Sequence, residues 1–594
     1  MKFKNIAGTL SLFSVVLAGC SLDVKMYDGV MAEGISSENI TELTYGSYRH
    51  MKGSGIVNYG YAAREFGSDD VTWNGTSTGS TYKIYDYTRS ISTTQTEYAW
   101  ELGYRAIGNT NLVIELVDAL GENASTENII QRGENYYLRA LCYFYMVNEF
   151  AQPYSNNPES NPGVPLKLDS NPDVMSLPKD RSTVAKVYEQ IVKDLQSAIV
   201  DLTLPAGMSP KSNNYATKEA AEALLARVYL YMGDFDNAYT MADNVIKSGR
   251  FSLEQGERYA KYAQWVPEDN KETIFCVRHV KEKDDINVFS DMFIRIDGSG
   301  WEEMSPSNPH LQLLELHLGE DDMPADLRSK FVTKRYVEDG VSDYAVYGHP
   351  EKVYEDWTFV YSEKEAKSAG YKYVQLNITK EEGKWVIDES QADNFQSKYI
   401  QSEPYNLGKR YYVLANDGTK YIGRIEPKVF DAATKRGKMS QYLVYAYNKN
   451  AYQEEYKGLY SPVISRYAEM FLIRAEVNAE KGNVELALDD VNIIRRRAGI
   501  PEWTVENMKT AEAGEPKDIK KIVEEERRLE FAIEGLRTYD VLRKRGTLDR
   551  RYPGSHAIAA GDQFLLVPYN SPAVCQYIPQ AQYDAYPYKL EQNP

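Results

Sequence analysis

Apolar residues recur at helical spacing over much of the chain, whereas strand-like runs are confined to its middle. This pattern predicts a mainly α-helical protein. The predicted helices cover residues 40–50, 98–120, 133–150, 183–202, 218–230, 237–247, 466–480, 485–498 and 518–545. The helix at 133–150 carries an almost continuous apolar run, so we expect it to be buried, with Trp100 of the preceding helix also in the core.

Two pairs of these helices resemble tetratricopeptide repeats, in which small and bulky residues let two antiparallel helices pack closely. The first pair spans 218–247, with a turn at Met232–Phe235. The second pair spans 466–498 and ends at Gly499 and Pro501, which is a typical helix stop. Helix pairs in both halves predict one scaffold built from both, although unrelated helical hairpins in separate domains remain an alternative.

Two stretches depart from the helical pattern. Residues 53–97 are rich in Gly, Ser, Thr and Tyr and predict a long ordered loop. Residues 251–460 mix loops with strand-like runs, such as 273–278 and a hairpin that joins Tyr411–Leu414 to Tyr421–Ile422. We expect this middle part to lie on the helical scaffold.

The N-terminus has the form of a signal sequence: Lys2 and Lys4 precede an apolar run that ends at Cys20. Leu17–Cys20 resembles the bacterial lipobox, in which the cysteine is acylated and becomes the first mature residue. The sequence therefore predicts a signal peptide at 1–19 and a lipid anchor on Cys20. An ordinary signal peptide, or an apolar helix with an incidental cysteine, is the alternative.

The charge balance of 68 Lys and Arg against 86 Asp and Glu gives −18, which argues against nucleic acid as a partner. The sequence has no phosphate loop, no GxSxG elbow and no HExxH helix, and its six histidines lack zinc spacing. Cys142 and Cys276 lie in apolar stretches and are expected to be buried thiols. With Cys575 they make three cysteines after Cys20, an odd number whose spacing fits no disulfide pattern. We predict that the protein is not an enzyme and has no cofactor.

Several ordered blocks resemble signatures of the SusD/RagB family of outer-membrane lipoproteins. The longest are Pro462–Glu476 and Glu525–Arg537, and the lipobox belongs to the same set. Shorter blocks are Leu138–Leu141, Glu272–Phe275, Tyr577–Pro579 and Leu590–Pro594.

This resemblance implies one SusD-like domain over residues 20–594. Its helical scaffold would occupy about 35–250 and 460–548, and its loop-rich, ligand-side part with short strands about 251–460. The family resemblance further implies a lipid-anchored protein at the cell surface of a Gram-negative bacterium of the Bacteroidetes type. Such a protein captures a glycan and passes it to a SusC-like TonB-dependent transporter in the outer membrane.

Candidate ligand-binding residues are exposed aromatics next to polar side chains in loops, because sugar C–H groups stack on aromatic faces and hydroxyls need hydrogen bonds. The resemblance carries Asp70, Trp73 and Asn74 over as ligand contacts, since in the family the loop after the first helix often supplies them. Further candidates are Tyr82, Tyr85, Trp265 and Trp301. Burial is the alternative for Tyr85 and Trp265.

Three alternatives in function remain at this stage: a peptide-binding or protein-binding member of the same family, a lipid-anchored glycoside hydrolase, and a structural surface lipoprotein. The chain has 86 Asp and Glu residues, so pairs of carboxylates that could serve a hydrolase occur throughout it. Such pairs therefore do not distinguish a hydrolase from a binding protein. The acidic runs Glu320–Asp322 and Glu524–Glu526 are interpreted as solvated faces, with a structural calcium ion left open.

Overall fold

The computed structural model describes residues 36–53, 64–73, 80–281, 283–284, 304–320, 322–338, 341–346, 356–364, 371–427, 445–450, 452–456, 458–553 and 564–594. The predicted signal peptide and Cys20 lie outside these residues. So do Asn74 and Trp301.

Helices make up most of the regular structure. Those described are α1 (Ile40–Lys52), α2 (Ser80–Tyr85), α3 (Thr94–Leu120), α4 (Thr126–Phe150), α5 (Val184–Asp201), α6 (Lys218–Met232), α7 (Phe235–Lys247), α8 (Gly256–Ala260), α9 (Asn308–Leu314), α10 (Glu389–Ala392), α11 (Tyr467–Glu480), α12 (Val484–Ala498), α13 (Ile519–Glu530), α14 (Arg537–Arg543) and α15 (Gln580–Ala585). None of the helices in these ranges combines the length and the apolar character that a membrane crossing needs.

The strands are short except in one sheet. They are β1 (Val71–Trp73), β2 (Thr273–Cys276), β3 (Met304–Pro306), β4 (Val332–Glu338), β5 (Val341–Val346), β6 (Trp357–Lys364), β7 (Tyr371–Glu381), β8 (Lys384–Ile387), β9 (Gln401–Tyr405), β10 (Gly408–Leu414), β11 (Lys420–Pro427), β12 (Tyr445–Tyr447), β13 (Val463–Arg466), β14 (Thr547–Asp549) and β15 (Leu566–Pro568).

The helical scaffold is a succession of antiparallel pairs, in which α1 packs with α3, α4 with α5, α6 with α7, and α11 with α12. Helix α11 also packs on α7, which joins the two halves of the chain. The largest hydrophobic core accordingly includes Ile107, Leu141, Leu224, Leu472 and Ile522. The mainly α fold with tetratricopeptide-like pairs is confirmed, and the alternative of unrelated hairpins in separate domains is wrong.

Local sequence signals account for the ends of these helices. Ser125 accepts a hydrogen bond from the Asn128 N–H at 3.1 Å and begins α4. Gly499 ends α12 in the left-handed region, with φ of 78°, as the stop signal predicted. Trp100 is 3% exposed within the core, and Cys142, Cys276 and Cys575 are buried free thiols.

The middle of the chain carries a six-stranded antiparallel sheet in the order β8-β7-β6-β11-β10-β9. The predicted hairpin is its β10–β11 pair, in which Tyr412 lies opposite Ile422. The sheet has its own small core, which includes Phe359, Leu376 and Trp385. The sequence predicted strands here but not their assembly into one sheet.

Residues 277–462 leave and rejoin the scaffold at one place. Strand β2 pairs antiparallel with β13, where Cys276 lies opposite Val463. One step further, the Val277 N–H donates to the Pro462 carbonyl at 2.9 Å. Both ends of this excursion, which contains the six-stranded sheet, are therefore held side by side.

Two predictions of secondary structure were wrong in part. The region 53–97 was expected to be a loop, yet its described residues include β1, α2 and the start of α3. The helix expected over 518–545 is interrupted between α13 and α14, where Ile533 and Gly535 have φ of 63° and 71°. Side chains satisfy the freed carbonyls there, since Lys449 Nζ donates to Ala532 at 3.0 Å and Asn450 Nδ2 to Ile533 at 2.9 Å.

Candidate functional site

The segment 64–73, here called the anchored loop, is held by two arginines of the Glu525–Arg537 block. Arg537 Nε and Nη2 donate to the two Asp69 oxygens at 2.7 and 2.9 Å. Arg528 Nε donates to Asp70 Oδ1 at 2.5 Å. Burial alone would raise the pKa of Asp69, but the charges of Arg528 and Arg537 outweigh it and hold that pKa well below its ordinary value.

The anchored loop ends in β1, which pairs antiparallel with β3 so that Trp73 lies opposite Met304. The Asp70 carbonyl accepts hydrogen bonds from the Ser307 N–H at 2.8 Å and from the Tyr447 hydroxyl at 3.1 Å. Trp301 precedes β3 by three residues in the sequence. The two segments that sequence analysis singled out therefore lead into one small sheet, although they are more than 200 residues apart.

Asp70 and Tyr85 were predicted as ligand contacts, but both are fully buried. The Asp70 carboxylate is engaged by Arg528, and the Arg550 guanidinium lies 4.4 Å from the centre of the Tyr85 ring. A ligand cannot reach either side chain in this conformation. Their place is beneath the surface, where they fix the anchored loop, and for Tyr85 the alternative of burial is correct.

Trp265 is half-buried rather than free to stack. Its indole N–H donates to the Arg258 carbonyl at 3.0 Å, and the Arg258 guanidinium lies 4.5 Å from the ring centre. One face of the ring is thus already in use. The backbones of Trp73 in β1 and Tyr82 in α2 are described but their side chains are not, and Asn74 and Trp301 lie outside the described residues.

An open cleft of about 350 Å³, here called the sheet cleft, lies next to the anchored loop. Helix α9, which follows β3, forms one wall, strands β10 and β11 form the second, and α13 forms the third. Arg528 of α13 lines the cleft while it binds Asp70. The lining residues that face the space with polar or aromatic groups include Gln312, Tyr405, Lys409, Arg410, Tyr411, Lys521, Glu524 and Glu525.

Several groups in the sheet cleft are already committed. Arg410 and Lys517 lie 4.4 and 4.5 Å from the Tyr405 ring centre, so cations occupy its faces. Glu525 accepts from Asn406 Nδ2 at 2.9 Å. By contrast, the side chains of Gln312 and Lys409 make no hydrogen bond or ion pair within the described part of the chain. The cleft therefore offers an amide, an ammonium group and the half-buried Tyr411 phenol to a polar ligand.

The sheet wall is held against the helical wall at Gly408. A Cβ atom there would lie 2.0 Å from the Leu316 carbonyl oxygen, so only glycine fits. The neighbouring Lys409 N–H donates to that same oxygen at 2.8 Å. This close approach sets the width of the sheet cleft at its α9 side.

The Glu525–Arg537 block also supplies a buried network of ion pairs, here called the seam. Arg466 reaches Glu530 at 2.5 Å and Glu534 at 2.8 Å, and Arg497 pairs with Glu530 as well. Burial alone would raise the pKa of Glu530, but the surrounding arginines hold it well below its ordinary value. The Glu525–Arg537 block therefore has a structural role, because its ion pairs hold α13 and α14 against α11 and α12.

The seam corrects the interpretation of Glu524–Glu526 as a solvated face. Glu526 is 1% exposed and pairs with Arg328 at 2.6 Å and Arg495 at 3.1 Å. In the other acidic run, Glu320 is exposed and Asp322 pairs with Lys380. Where the structure describes the chain, it contains no group of three His, Cys, Asp or Glu side chains that could hold a metal ion.

Sequence reasoning missed Gln312, Lys409 and Tyr411 as cleft residues. Tyr411 was identified only as part of a hairpin, and its position in the cleft depends on Gly423, which lies opposite it in β11. That register could have been proposed from the Asn416–Gly418 turn. The meeting of the hairpin with α9 and α13 involves residues about 100 apart in sequence, for which no local pattern exists.

Comparisons with known proteins agree with this architecture. Residues 22–230 match a family model described as "Starch-binding associating with outer membrane", and residues 296–565 match the model of the SusD family. The chain is 25% identical to SusD-like protein P2 of Formosa agariphila over 479 residues, which cover 80% of this chain and 76% of that protein.

Solved structures show the same fold. A SusD superfamily protein from Bacteroides thetaiotaomicron is 20% identical with a TM-score of 0.66, over 94% of this chain and 100% of that one. A SusD-like carbohydrate binding protein from Bacteroides vulgatus is 16% identical with a TM-score of 0.56, over 86% of this chain and 84% of that one. The resemblance seen in the sequence blocks is thereby confirmed.

Proposed function

This chain belongs to the SusD family, and on that premise we propose that it captures an oligosaccharide or polysaccharide at the cell surface and delivers it to a SusC-like TonB-dependent transporter. The family description places its members in association with the outer membrane. In this proposal a lipid on Cys20 holds the protein there, and the protein binds its ligand without chemical change.

The observation that carries the proposal is the pairing of β1 with β3 beside the sheet cleft. Trp73 belongs to β1 and Trp301 precedes β3 by three residues in the sequence, and in this proposal their indoles stack on sugar rings. Asn74 and Tyr82 follow in the same segment and would bond the sugar hydroxyls. Asp70, which is buried, keeps the anchored loop in place through Arg528.

The sheet cleft supports the same proposal because its free groups suit hydroxyl-rich ligands. Gln312 offers an amide donor and acceptor, and Lys409 a donor that no described residue uses. Tyr411 adds a phenol whose pKa burial raises, so it stays neutral and can both donate and accept. A chain of sugars would extend from the β1–β3 pair into this cleft.

The test is binding of the soluble protein, starting after Cys20, to a panel of plant, host and microbial glycans by calorimetry. Trp73→Ala, Trp301→Ala and Gln312→Ala are expected to weaken binding of the selected glycan by about tenfold or more each, as loss of a stacking or hydrogen-bonding contact does. Tyr399→Ala is the matched control, because Tyr399 is 38% exposed on the sheet but does not line the cleft.

Three other outcomes would overturn parts of the proposal. Release of shorter saccharides by the purified protein would establish a hydrolase. Binding of peptides with silence across the glycans would establish the peptide-binding alternative. Equal loss in Tyr399→Ala and Trp73→Ala would indicate that the variants unfold rather than lose a site, which circular dichroism of both variants checks directly.

The anchor and the transporter require their own experiment. Full-length protein and Cys20→Ser are produced in a Bacteroidetes host with labelled palmitate, and the full-length protein is then purified from detergent extracts. Label on the full-length protein alone, together with a co-purifying TonB-dependent transporter, is the expected result. Label on Cys20→Ser, or a full-length protein that sediments without the outer membrane, contradicts the lipobox interpretation.

A further inference from the structure

A second open cleft, here called the α1 cleft, shares no lining residue with the sheet cleft. Its volume is about 420 Å³. Helix α1 forms one side, the turn before α6 forms the second, and the segment after β2 forms the third. The residues that line it are Tyr45, Tyr48, Arg49, Lys52, Asn214, Tyr215, Cys276, Val277, Arg278, Val280, Lys283 and Asp284.

Three tyrosines give the α1 cleft an aromatic surface. Tyr48 and Tyr215 meet edge to face with ring centres 5.5 Å apart, and the Ala216 N–H fixes the Tyr48 hydroxyl at 2.8 Å. Tyr45 lies one helical turn before Arg49 and is 56% exposed. The cleft thus combines two rings held in place with a third ring at the rim.

The same cleft is cationic in a protein whose net charge is −18. Four cations line it against the single carboxylate of Asp284. That carboxylate is already used by Lys52 at 2.9 Å and by the Val280 N–H at 2.6 Å. The Arg278 guanidinium is likewise used, by Glu268 at 2.9 Å and Glu454 at 3.0 Å.

Two of the four cations, Arg49 and Lys283, are not used in this way. Both are exposed, and neither side chain makes a hydrogen bond or an ion pair with any residue that the structure describes. An arginine presents a planar fork of donors that fits a carboxylate or sulfate group in two parallel bonds, and a lysine adds a point charge. Two cations with unpaired side chains, beside the exposed Tyr45 ring and the half-buried Tyr215 ring, are suited to a ligand that has both an acid group and an apolar face.

We propose that the α1 cleft is a second binding site, for an anionic saccharide. Its carboxylate or sulfate group binds Arg49 and Lys283, and the C–H face of its sugar ring packs on Tyr45 and Tyr215. A neutral glycan offers the two cations only hydroxyl and ether oxygens, and no opposite charge. The site is independent of the sheet cleft, so it goes beyond the function proposed above and does not rest on it.

The test uses three probes of similar length: oligogalacturonate, its fully methyl-esterified and therefore uncharged form, and a sulfated galactan oligosaccharide. Calorimetry with the soluble chain after Cys20 is expected to detect at least one acidic probe and not the methyl ester. Raising the salt concentration from about 50 to about 200 mM is expected to weaken that binding several-fold, because the ion pairs lie at the surface. The two acidic probes distinguish a carboxylate ligand from a sulfate ligand.

The variants isolate the two features of the site. Arg49→Gln with Lys283→Gln is expected to lose about tenfold or more in affinity for the acidic probe, and Tyr45→Ala several-fold. Lys281→Gln is the matched control, since it removes one charge from the same segment without touching the cleft lining. Tyr399→Ala removes an exposed ring that lines neither cleft and is expected to leave this binding unchanged.

The proposal is overturned if neither acidic probe binds, if the methyl ester binds as tightly as the acid, or if Lys281→Gln weakens binding as much as the double variant. Flotation with vesicles that contain a fifth of anionic lipid is the remaining arm. Vesicle binding that Arg49→Gln with Lys283→Gln abolishes, with no saccharide bound, would assign the cleft to a lipid surface instead. If Trp73→Ala weakens binding of every saccharide and the variants of the α1 cleft do not, the proposal of a second site is wrong while the proposed function stands.

Discussion

The ion pairs of the seam in the helical scaffold are buried, whereas the Lys420–Glu403 pair on the six-stranded sheet lies at the surface. In the seam, the Arg497 and Glu530 side chains that pair are both 0% exposed. On the sheet, Lys420 and Glu403 also pair, but 37% and 26% of their side-chain surface is exposed. The two regions thus use the same chemistry in different surroundings.

The difference teaches where substitutions are tolerated. Removing one partner of a buried pair leaves an uncompensated charge in a medium that cannot solvate it, whereas water replaces a lost partner at the surface. The seam fixes the positions of α13 and the anchored loop and leaves little room for change. Substitutions at exposed positions of the sheet are expected to cost little, and its strands β10 and β11 form one wall of the sheet cleft.

The largest expected effect comes from Glu530→Gln. This substitution leaves Arg466 and Arg497 with Glu272 as the other carboxylate that both contact, and is expected to lower the free energy of unfolding by about 3–5 kcal/mol. Urea unfolding followed by circular dichroism measures it. Glu403→Gln on the sheet is the matched control, for which a loss below about 1 kcal/mol is expected. Equal losses in the two variants would remove the distinction between the regions.

A second prediction concerns pH. Burial, together with the Asp70 charge, raises the pKa of Glu65 to about 8. The hydrogen bond that the Gly535 N–H donates acts in the opposite direction and lowers this pKa. Because the folded-state pKa is raised, the stabilisation from Glu65 is complete below the ordinary pKa of about 4.5 and is lost as pH rises through about 8. Glu530 behaves oppositely: its lowered pKa gives stability that is lost in acid.

Glu65→Gln is therefore expected to flatten the alkaline side of the stability profile. Between pH 6 and about pH 9 the wild-type protein should lose on the order of 1–3 kcal/mol that the variant retains. Thermal unfolding across that pH range measures the difference. A wild-type profile that falls no faster than that of Glu65→Gln would contradict the burial of an ionising carboxyl group at this position.

Gly408→Ala tests the joint between sheet and scaffold. The added methyl group would collide with the Leu316 carbonyl, so the sheet must move away from α9 at a cost of about 1–3 kcal/mol. We expect weaker glycan binding in the sheet cleft with most of the scaffold stability retained. Hydrogen exchange of β9–β11, compared with that of α4, distinguishes this local effect from global unfolding; uniform loss of protection would contradict it.

The smallest effect is expected in the scaffold, from Gly108→Ala in α3. A Cβ at this position would meet no atom within 4 Å, and alanine has the higher helix propensity. The free energy of unfolding should therefore rise by about 0.5–1 kcal/mol, as denaturant titration can measure. Destabilisation here would show that α3 is more tightly packed at Gly108 than its surroundings indicate.

Local patterns predicted the fold because they depend on residues close in sequence. The helix pairs at 218–247 and 466–498 are confirmed almost to the residue, and the hairpin at 411–422 is confirmed with longer strands than predicted. The interruption after Glu530 was missed, because the partners that stabilise it, Glu65, Lys449 and Asn450, come from elsewhere in the chain. A helical repeat of apolar residues continues through it and hides the break.

The candidate site was predicted less completely for the same reason. The sequence singled out Trp73 and Trp301 as candidates, and Trp73 lies in β1, which pairs with β3. It could not show that the Asp70 carboxylate is bound by Arg528, which lies 458 residues away in the sequence. An acidic loop residue is identical in sequence whether it meets a ligand or an arginine, and only the folded chain decides between the two.

The adjacent ends of the excursion at β2 and β13 have a consequence for how such proteins diversify. Since Cys276 and Val463 are already neighbours, a longer or shorter insert between them changes the closure entropy by only about 0.6 kcal/mol for each doubling of length. Parts of residues 277–462 can therefore change in length without moving this junction. An exchanged recognition surface would still have to keep Arg328, Lys449 and Asn450, which bind the helical scaffold from within the segment.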